Sequence, residues 1–223
     1  AVPSHFAYGA YFRSIRKLCL MMSRTSREAM TAEPIESARI ESLLAYVDLL
    51  LRWNRSYNLT AVRNPAEIIS RHLLDSFSVM PFINGNRLLD AGSGAGLPGV
   101  PLAIARPEWE VTLLDSAGKK IRFLNHVRRE LGLVNICPVQ ERLETYRPES
   151  GCEEIISRAF ASLATFASAA RHLAPARLLA MKGRYPDLEL EELPAWVHVD
   201  SIEKLVVPGL QEERHLVIMS VNS

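Results

Sequence analysis

"LLDAGSGAGLPGVPLAIA", residues 88–105, places four glycines in eight positions between two apolar runs. Gly94, Gly96 and Gly99 fit the spacing G-x-G-x-x-G of a turn that cradles phosphate. Yet a carboxylate, Asp90, stands two residues before Gly92, the first glycine of the run. At roughly 5 Å and an effective dielectric of about 20, that charge repels a pyrophosphate, or attracts a cation, by about 3 kcal/mol. The register argues the same way. If Gly94 opens a dinucleotide fingerprint, the preceding strand must run through "AGS", a poor strand former. If Gly92 opens it, the strand ends at Asp90, but Leu97 falls where the third glycine belongs. Pro98 and Pro101 suit the start of a helix, where a missing N–H costs least. The stretch reads as strand, glycine turn and helix, with a turn for a cofactor whose near end is cationic. S-adenosylmethionine fits, with its sulfonium, its ammonium and no phosphate.

Outward from this turn, short apolar runs alternate with helical patterns. The patterns predict strands at "RLLDA", "VTLLD", "NICPV", "EIISR", "RLLAM", "HVDSIEKLVV" and "RHLVIMSV", with helices over 97–105, 117–131, 161–173 and 187–193. Strand–helix alternation means a mostly parallel α/β sheet. The last two strands are joined only by "PGLQEE" and should pair antiparallel. Seven strands closed by such a hairpin are the Rossmann-like arrangement of class I methyltransferases. Upstream, Ile40, Leu43, Leu44, Val47, Leu50 and Leu51 predict a helix from Pro34 that breaks at Asn54, Ser56 and Asn58 in "RWNRSYNLTAV". Asn64, Pro65 and Glu67 read as N-cap, first position and capping box of a helix over about 65–80, with Ile69, Leu73 and Phe77 on one face. The expected organisation is an extension over 1–30, a helical cap over 31–86 and the Rossmann-like domain over 87–223.

Composition sets limits. The chain has 223 residues, 48% apolar and 23% charged, with a net charge of +1. Any nucleic acid must therefore be held by local basic patches. Cys19, Cys137 and Cys152 show no C-x-x-C spacing, which argues against a disulfide framework or zinc site and fits a reducing compartment such as the cytoplasm. No apolar run approaches the roughly 20 residues that cross a bilayer. Residues 1–27 carry Arg13, Arg16, Lys17, Arg24 and Arg27 and no acid. Three readings fit this stretch: a basic tail, a targeting segment, or translation from a start upstream of Met21, Met22 or Met30. Little fixed structure is expected before residue 30.

Asp115 closes the second strand, 23 residues after Gly92. An acid there can accept the ribose hydroxyls of either cofactor, or cap the helix that follows. "QERLETY" follows the third strand, where Leu143 could pack on an adenine ring and Glu144 bind its edge, or the loop could simply be solvated. Arg158 ends the fourth strand and Lys182 the fifth, on the same sheet edge. The plain alternative for Arg158 is an ion pair with Glu154. Lys119, Lys120, Arg122, Arg128 and Arg129 form a basic helix that is either solvated or paired with phosphates. His72 and Asp75, three apart on one helical face, read as helix positioning or nucleic-acid contact.

Seven blocks, "RWNRSYNLTAV", "RHLLDS", "LLDAGSGAGLPGVPL", "LLDSAGKKIRFL", "ISRAFASL", "AMKG" and "VPGLQEERHLVI", occur in this order from about residue 40 to the C-terminus. Together they closely resemble the glucose-inhibited division protein B family, bacterial methyltransferases that modify N7 of one guanine in 16S ribosomal RNA. The resemblance implies S-adenosylmethionine as cofactor and 16S RNA or the small subunit as partner, with no metal and no membrane. It places Gly92 and Leu97 on the binding turn, with Gly94 and Gly96 beside them, Leu143 and Glu144 on the adenine-side loop, and Arg158 on the "ISRA" block. Ser93 and Ala95 depart from the family's turn but are small.

The implied chemistry is undemanding. N7 of guanine has a free lone pair and no proton, so its attack on a sulfonium methyl needs no general base. Alignment and dryness of the site suffice. A pyrimidine carbon would need a cysteine nucleophile, and Cys137 in "ICPV" reads as strand. An exocyclic amine would call for an Asn-Pro-Pro-Tyr block, where this chain has "ISRAFAS". Arg158 is expected to touch O6, a phosphate or the cofactor carboxylate and to leave N7 free, with Lys182 beside it on the acceptor edge. The rival readings are an NAD-dependent oxidoreductase and a ribosome-binding module with a vestigial turn. A monomer is the favoured state.

Overall fold

The computed structural model describes residues 37–149, 151–158 and 160–221. The expected extension over 1–30 and the helix start at Pro34 lie outside these residues. Helix α1, Ser37–Tyr57, is followed by α2, which is built of three consecutive pieces, Pro65–Ile68, a π-helical Ile69–Leu74 and Asp75–Phe77. Then come β1 (Arg87–Ala91), α3 (Gly99–Ala105), β2 (Glu110–Leu114), α4 (Gly118–Glu130), β3 (Ile136–Val139) and β4 (Glu154–Ser157). The chain continues through α5 (Leu163–Ala170), β5 (Arg177–Lys182), α6 (Asp187–Glu191), β6 (Val197–Lys204) and β7 (His215–Val221).

All seven strands form one sheet in the order β3-β2-β1-β4-β5-β7-β6. The first five run parallel, and β7 lies antiparallel to both β5 and β6. Strand order runs outward from β1 in both directions, so a crevice opens at the carboxyl ends of β1 and β4, where ligands bind in open α/β sheets. Asp90 sits at that end, in register with Leu113 and Ile156.

Strand alternation divides the core between the two faces of the sheet. Leu88 joins a cluster with side chains of α1 to α4, whereas Leu89 and Ala91 join one with α5. Leu43, Val47, Leu50, Leu73 and Phe77 of the first two helices share their cluster with Val111 and Leu113 of β2. Helix α4 is amphipathic, burying Ile121, Phe123, Leu124 and Val127 and exposing Arg122, Arg128 and Arg129.

Three elements differ from expectation. The expected break in α1 at Asn54 and Ser56 does not occur, and the helix runs to Tyr57. Asn54 is buried, and its side chain is satisfied from the next loop, accepting from the Thr60 N–H at 2.9 Å and donating to the Val62 carbonyl at 3.3 Å. The stop falls at Asn58, which takes a left-handed φ of 49°. In α2, Asn64 caps as expected, accepting from the Ala66 N–H, but the middle of the helix widens into a π-turn that periodicity does not signal. The helix predicted over 161–173 is α-helical only to Ala170, ending in a 3₁₀ turn over Arg171–Leu173.

Candidate active site

The glycine turn folds back over the end of β2. The N–H groups of Gly92 and Ser93 both donate to the Leu114 carbonyl, at 2.8 and 3.0 Å. The two outer glycines serve different ends. Gly92, at φ +73°, faces open space: a methyl group added there meets nothing within 4 Å. Gly96, at φ +91°, is closed in: the same addition would stand 2.5 Å from Val100 and 2.8 Å from Leu124. Gly92 therefore borders the cleft, and Gly96 lets α4 pack against the turn. Leu97 is buried in the core beside it, its N–H on the Ser93 carbonyl.

Asp90 is completely buried. One oxygen, Oδ2, accepts from the Gly99 N–H at the start of α3, at 2.9 Å. The other, Oδ1, has no hydrogen-bond partner among the described residues. Burial pushes the carboxyl up to about 7, against a smaller opposing pull from Gly99 N–H and from Arg158. Asp115 has both oxygens engaged. Oδ2 accepts from Gly94 N–H at 2.9 Å and Lys120 Nζ at 3.1 Å, and Oδ1 accepts from Ala117 N–H at 2.9 Å. It thus ties the glycine turn to the start of α4. Gly94 stands between the two acids on the chain and carries the amide that links turn to Asp115.

Arg158 does not pair with Glu154. Glu154 is buried against Arg177 at 2.6 Å and accepts from the Asn84 and Gly85 N–H groups. Arg158 instead reaches across to α2, donating from Nη1 to Asp75 Oδ2 at 3.2 Å and to the Arg71 carbonyl at 3.3 Å. The other Asp75 oxygen accepts from Arg214 Nε at 3.1 Å. His72 and Asp75 are not bonded to each other. His72 Nδ1 lies 2.9 Å from the Arg71 carbonyl and Nε2 2.7 Å from Thr60 Oγ1. Burial, aided by Arg158, lowers this imidazole to about 4, so it is neutral, with Nδ1 donating and Nε2 accepting. Lys182, at the end of β5, is held by Glu189 at 2.7 Å, and Glu189 also accepts from the Leu163 N–H.

Leu143 is buried in the second core cluster, whereas Glu144 is exposed at the mouth of a cleft of about 430 Å³ that it shares with Ala164, Thr165 and Ser168 of α5. Of the basic helix, Lys120 is committed to Asp115 and Lys119 donates to the Tyr57 carbonyl, which leaves Arg122, Arg128 and Arg129 on the exposed face. The carboxyl edge thus gathers the Asp90 turn, Asp115 and Arg158, with Lys182 on the next strand. Asp75, Arg214 and Glu189 were not singled out for these pairings in the sequence. His72 and Asp75, three apart on one face of the predicted helix, were the available signal for Asp75. Among the described residues no cluster of three or more histidine, cysteine or acidic side chains could hold a metal ion. Nor is any described helix long and apolar enough to cross a membrane.

Sheet order, glycine turn and paired acids together define a Rossmann-like methyltransferase of the S-adenosylmethionine-dependent class. Solved structures share the fold. A SAM-dependent methyltransferase from Aquifex aeolicus has a TM-score of 0.53 at 17% identity, covering 71% of this chain and 94% of its own. The magnesium protoporphyrin IX methyltransferase of Synechocystis PCC 6803, with bound SAM, gives 0.55 at 13% identity, covering 80% and 97%. Residues 39–217 match the family described as GidB, rRNA small subunit methyltransferase G, and the chain belongs to that family. Similar proteins named ribosomal RNA small subunit methyltransferase G come from Pseudomonas syringae pv. syringae (strain B728a) and Salmonella arizonae (strain ATCC BAA-731 / CDC346-86 / RSK2980). The first is 54% identical over 187 residues, 83% of this chain and 87% of its own. The second is 53% identical over 182 residues, 81% and 88%.

Proposed function

We propose that this protein transfers the methyl group of S-adenosylmethionine to N7 of a guanine in 16S ribosomal RNA, by direct in-line displacement and without a general base. The observation that carries the cofactor end is the buried Asp90, whose Oδ1 lacks a partner among the described residues, in a crevice that also feels the charge of Arg158. An anion and a cation so placed complement a zwitterion. The ammonium of the methionyl tail answers Asp90, and its carboxylate answers Arg158. Gly92 leaves the backbone open to close approach, Gly94, Gly96 and Leu97 shape the turn, and Asp115 receives the ribose hydroxyls on its remaining lone pairs. Leu143 and Glu144 border the adenine.

When bound, the sulfonium supplies an activated methyl group. The chain's own residues have to hold N7 in line with it, about 3 Å away, and exclude water. No proton leaves N7, which agrees with a neutral, hydrogen-bonded His72 and with Asp75 engaged by two arginines. A guanidinium on O6 and N7 together would block the nucleophile. Arg158, engaged by Asp75 and the cofactor carboxylate, leaves N7 free. Lys182, anchored by Glu189, and the exposed arginines of α4 supply cations for RNA phosphates. The family's name supports a small-subunit RNA as acceptor. In this reading residues 31–86 cap the catalytic domain of 87–223.

Incubation with labelled S-adenosylmethionine and 16S RNA, free or in small subunits, tests the acceptor. Label is expected at N7 of a single guanine. Label on an exocyclic amine or a pyrimidine carbon overturns the acceptor assignment. Calorimetric binding of NADH without binding of S-adenosylhomocysteine overturns the cofactor assignment.

A further inference from the structure

We propose that Asp75 is a positioning residue that acts through Arg158, holding its guanidinium at the carboxyl end of β4 to receive the carboxylate of S-adenosylmethionine. The inference rests on the cofactor reading above and adds to it a residue that touches neither cofactor nor acceptor. Asp75 is 2% exposed, yet each of its oxygens takes a guanidinium from a different strand end, Arg158 after β4 and Arg214 before β7. One carboxylate facing two guanidiniums leaves one positive charge over. The neighbouring cations are already answered, Lys182 by Glu189 and Arg71 by Glu67 and Glu212. Arg71 holds one acid more than it needs, and Glu212 also feels Arg214, so Arg214 is answered from two sides. Arg158, which shares Asp75 and has no other carboxylate partner among the described residues, is the guanidinium left to take a monoanion such as a carboxylate.

The helix is shaped to hold this arrangement. Asp75 immediately follows the π-helical turn, and its N–H donates to the Ser70 and His72 carbonyls. Within the turn the Arg71 carbonyl meets both Arg158 Nη1 and His72 Nδ1. His72, kept neutral by burial, adds no competing charge. Arg158 is thus held through Nη1 by two acceptors of α2, a helix outside the sheet, and among the described residues its remaining N–H groups are left for a ligand.

A double-mutant cycle read by calorimetry tests this. The probes are S-adenosylhomocysteine and 5′-methylthioadenosine, which keeps adenine, ribose and sulfur but lacks the amino-acid tail. Asp75→Asn and Arg158→Gln should each weaken S-adenosylhomocysteine by about ten-fold or more, and the double variant should be no weaker than Arg158→Gln alone. Binding of 5′-methylthioadenosine should stay within about two-fold of wild type throughout. Losses that multiply in the double variant would overturn the proposal. So would an equal loss for both probes, which marks a purely structural clamp. Unchanged S-adenosylhomocysteine affinity with a raised KM for RNA would also overturn it, giving Arg158 to a phosphate. If Asp75→Asn does not fold, Asp75→Glu keeps the charge and shifts it by one methylene for the same cycle. A wild-type protein that binds neither probe fails the cofactor reading itself.

Discussion

At the scale of single residues, two buried groups make the molecule sensitive to pH in opposite senses. Asp90 is raised from 3.8 to about 7 by burial. Between about pH 4 and 7 the folded chain therefore keeps a proton that the unfolded chain has lost. The favourable contribution of Asp90 to folding is complete below about pH 4 and disappears as the pH rises through 7. An ammonium brought to Oδ1 favours the ionised form, so cofactor binding should release a proton. Affinity for S-adenosylhomocysteine should rise by about ten-fold from pH 6 to 8. Calorimetry in buffers of different ionisation heat would detect the released proton, and Asp90→Asn should weaken binding and flatten the pH profile. A flat wild-type profile would detach Asp90 from the ammonium. His72 behaves oppositely. Lowered from 6.5 to about 4, it is neutral in the fold and charged in the unfolded chain between those values. Its contribution, about 3 kcal/mol, is present above pH 6.5 and is lost as the pH falls towards 4. Urea unfolding of wild type against His72→Asn across that range would show the slope, which the variant should lack.

At the scale of elements, the glycine turn was the most legible part of the chain. Its strand, its helix and the place of Asp90 in the last residues of β1 before the glycines all follow from propensity and register. What each glycine does was not legible, because it depends on how Val100 and, from α4, Leu124 close on the turn at Gly96 while Gly92 is left open. Gly96→Ala should push against Val100 and Leu124 and lower stability by about 2 kcal/mol. Gly92→Ala has room and bears only its left-handed φ, about 1 kcal/mol, but should weaken the cofactor more than Gly96→Ala does at equal folded fraction. Thermal unfolding and calorimetry would separate the two effects, and reversed roles would refute the division drawn here. The π-turn of α2 and the run of α1 through Asn54 were illegible for a related reason. Each is fixed by hydrogen bonds from a distant or following segment rather than by its own periodicity. Arg158 and Lys182 follow neighbouring strands on one sheet edge, but the acid beside Arg158 is Asp75 of α2, which spacing did not connect to it, and not Glu154, the plain alternative.

At the scale of the molecule, a near-neutral chain carries a local excess of charge. Helix α4 holds five basic residues and one acid, Glu130, while the whole chain is at +1. RNA affinity should therefore fall steeply with salt. Arg122→Glu with Arg129→Glu should reduce that slope and raise KM for RNA while leaving S-adenosylhomocysteine binding unchanged. Filter binding at several salt concentrations would check it, and an unaltered slope would move the RNA surface elsewhere. The helices before β1 share one apolar cluster with β1 and β2, so calorimetric melting of the chain should give a single transition.

The position of β7 has a consequence in time. β6 is made before β7 yet pairs with nothing in the sheet except β7, which slots between it and β5. A chain emerging from its own ribosome therefore cannot finish this sheet until β7 is free. Arg214, one residue before β7, cannot join Asp75 any sooner. The edge that gathers Arg158, Lys182 and Arg214 is therefore complete only once β7 has been made and has inserted between β5 and β6.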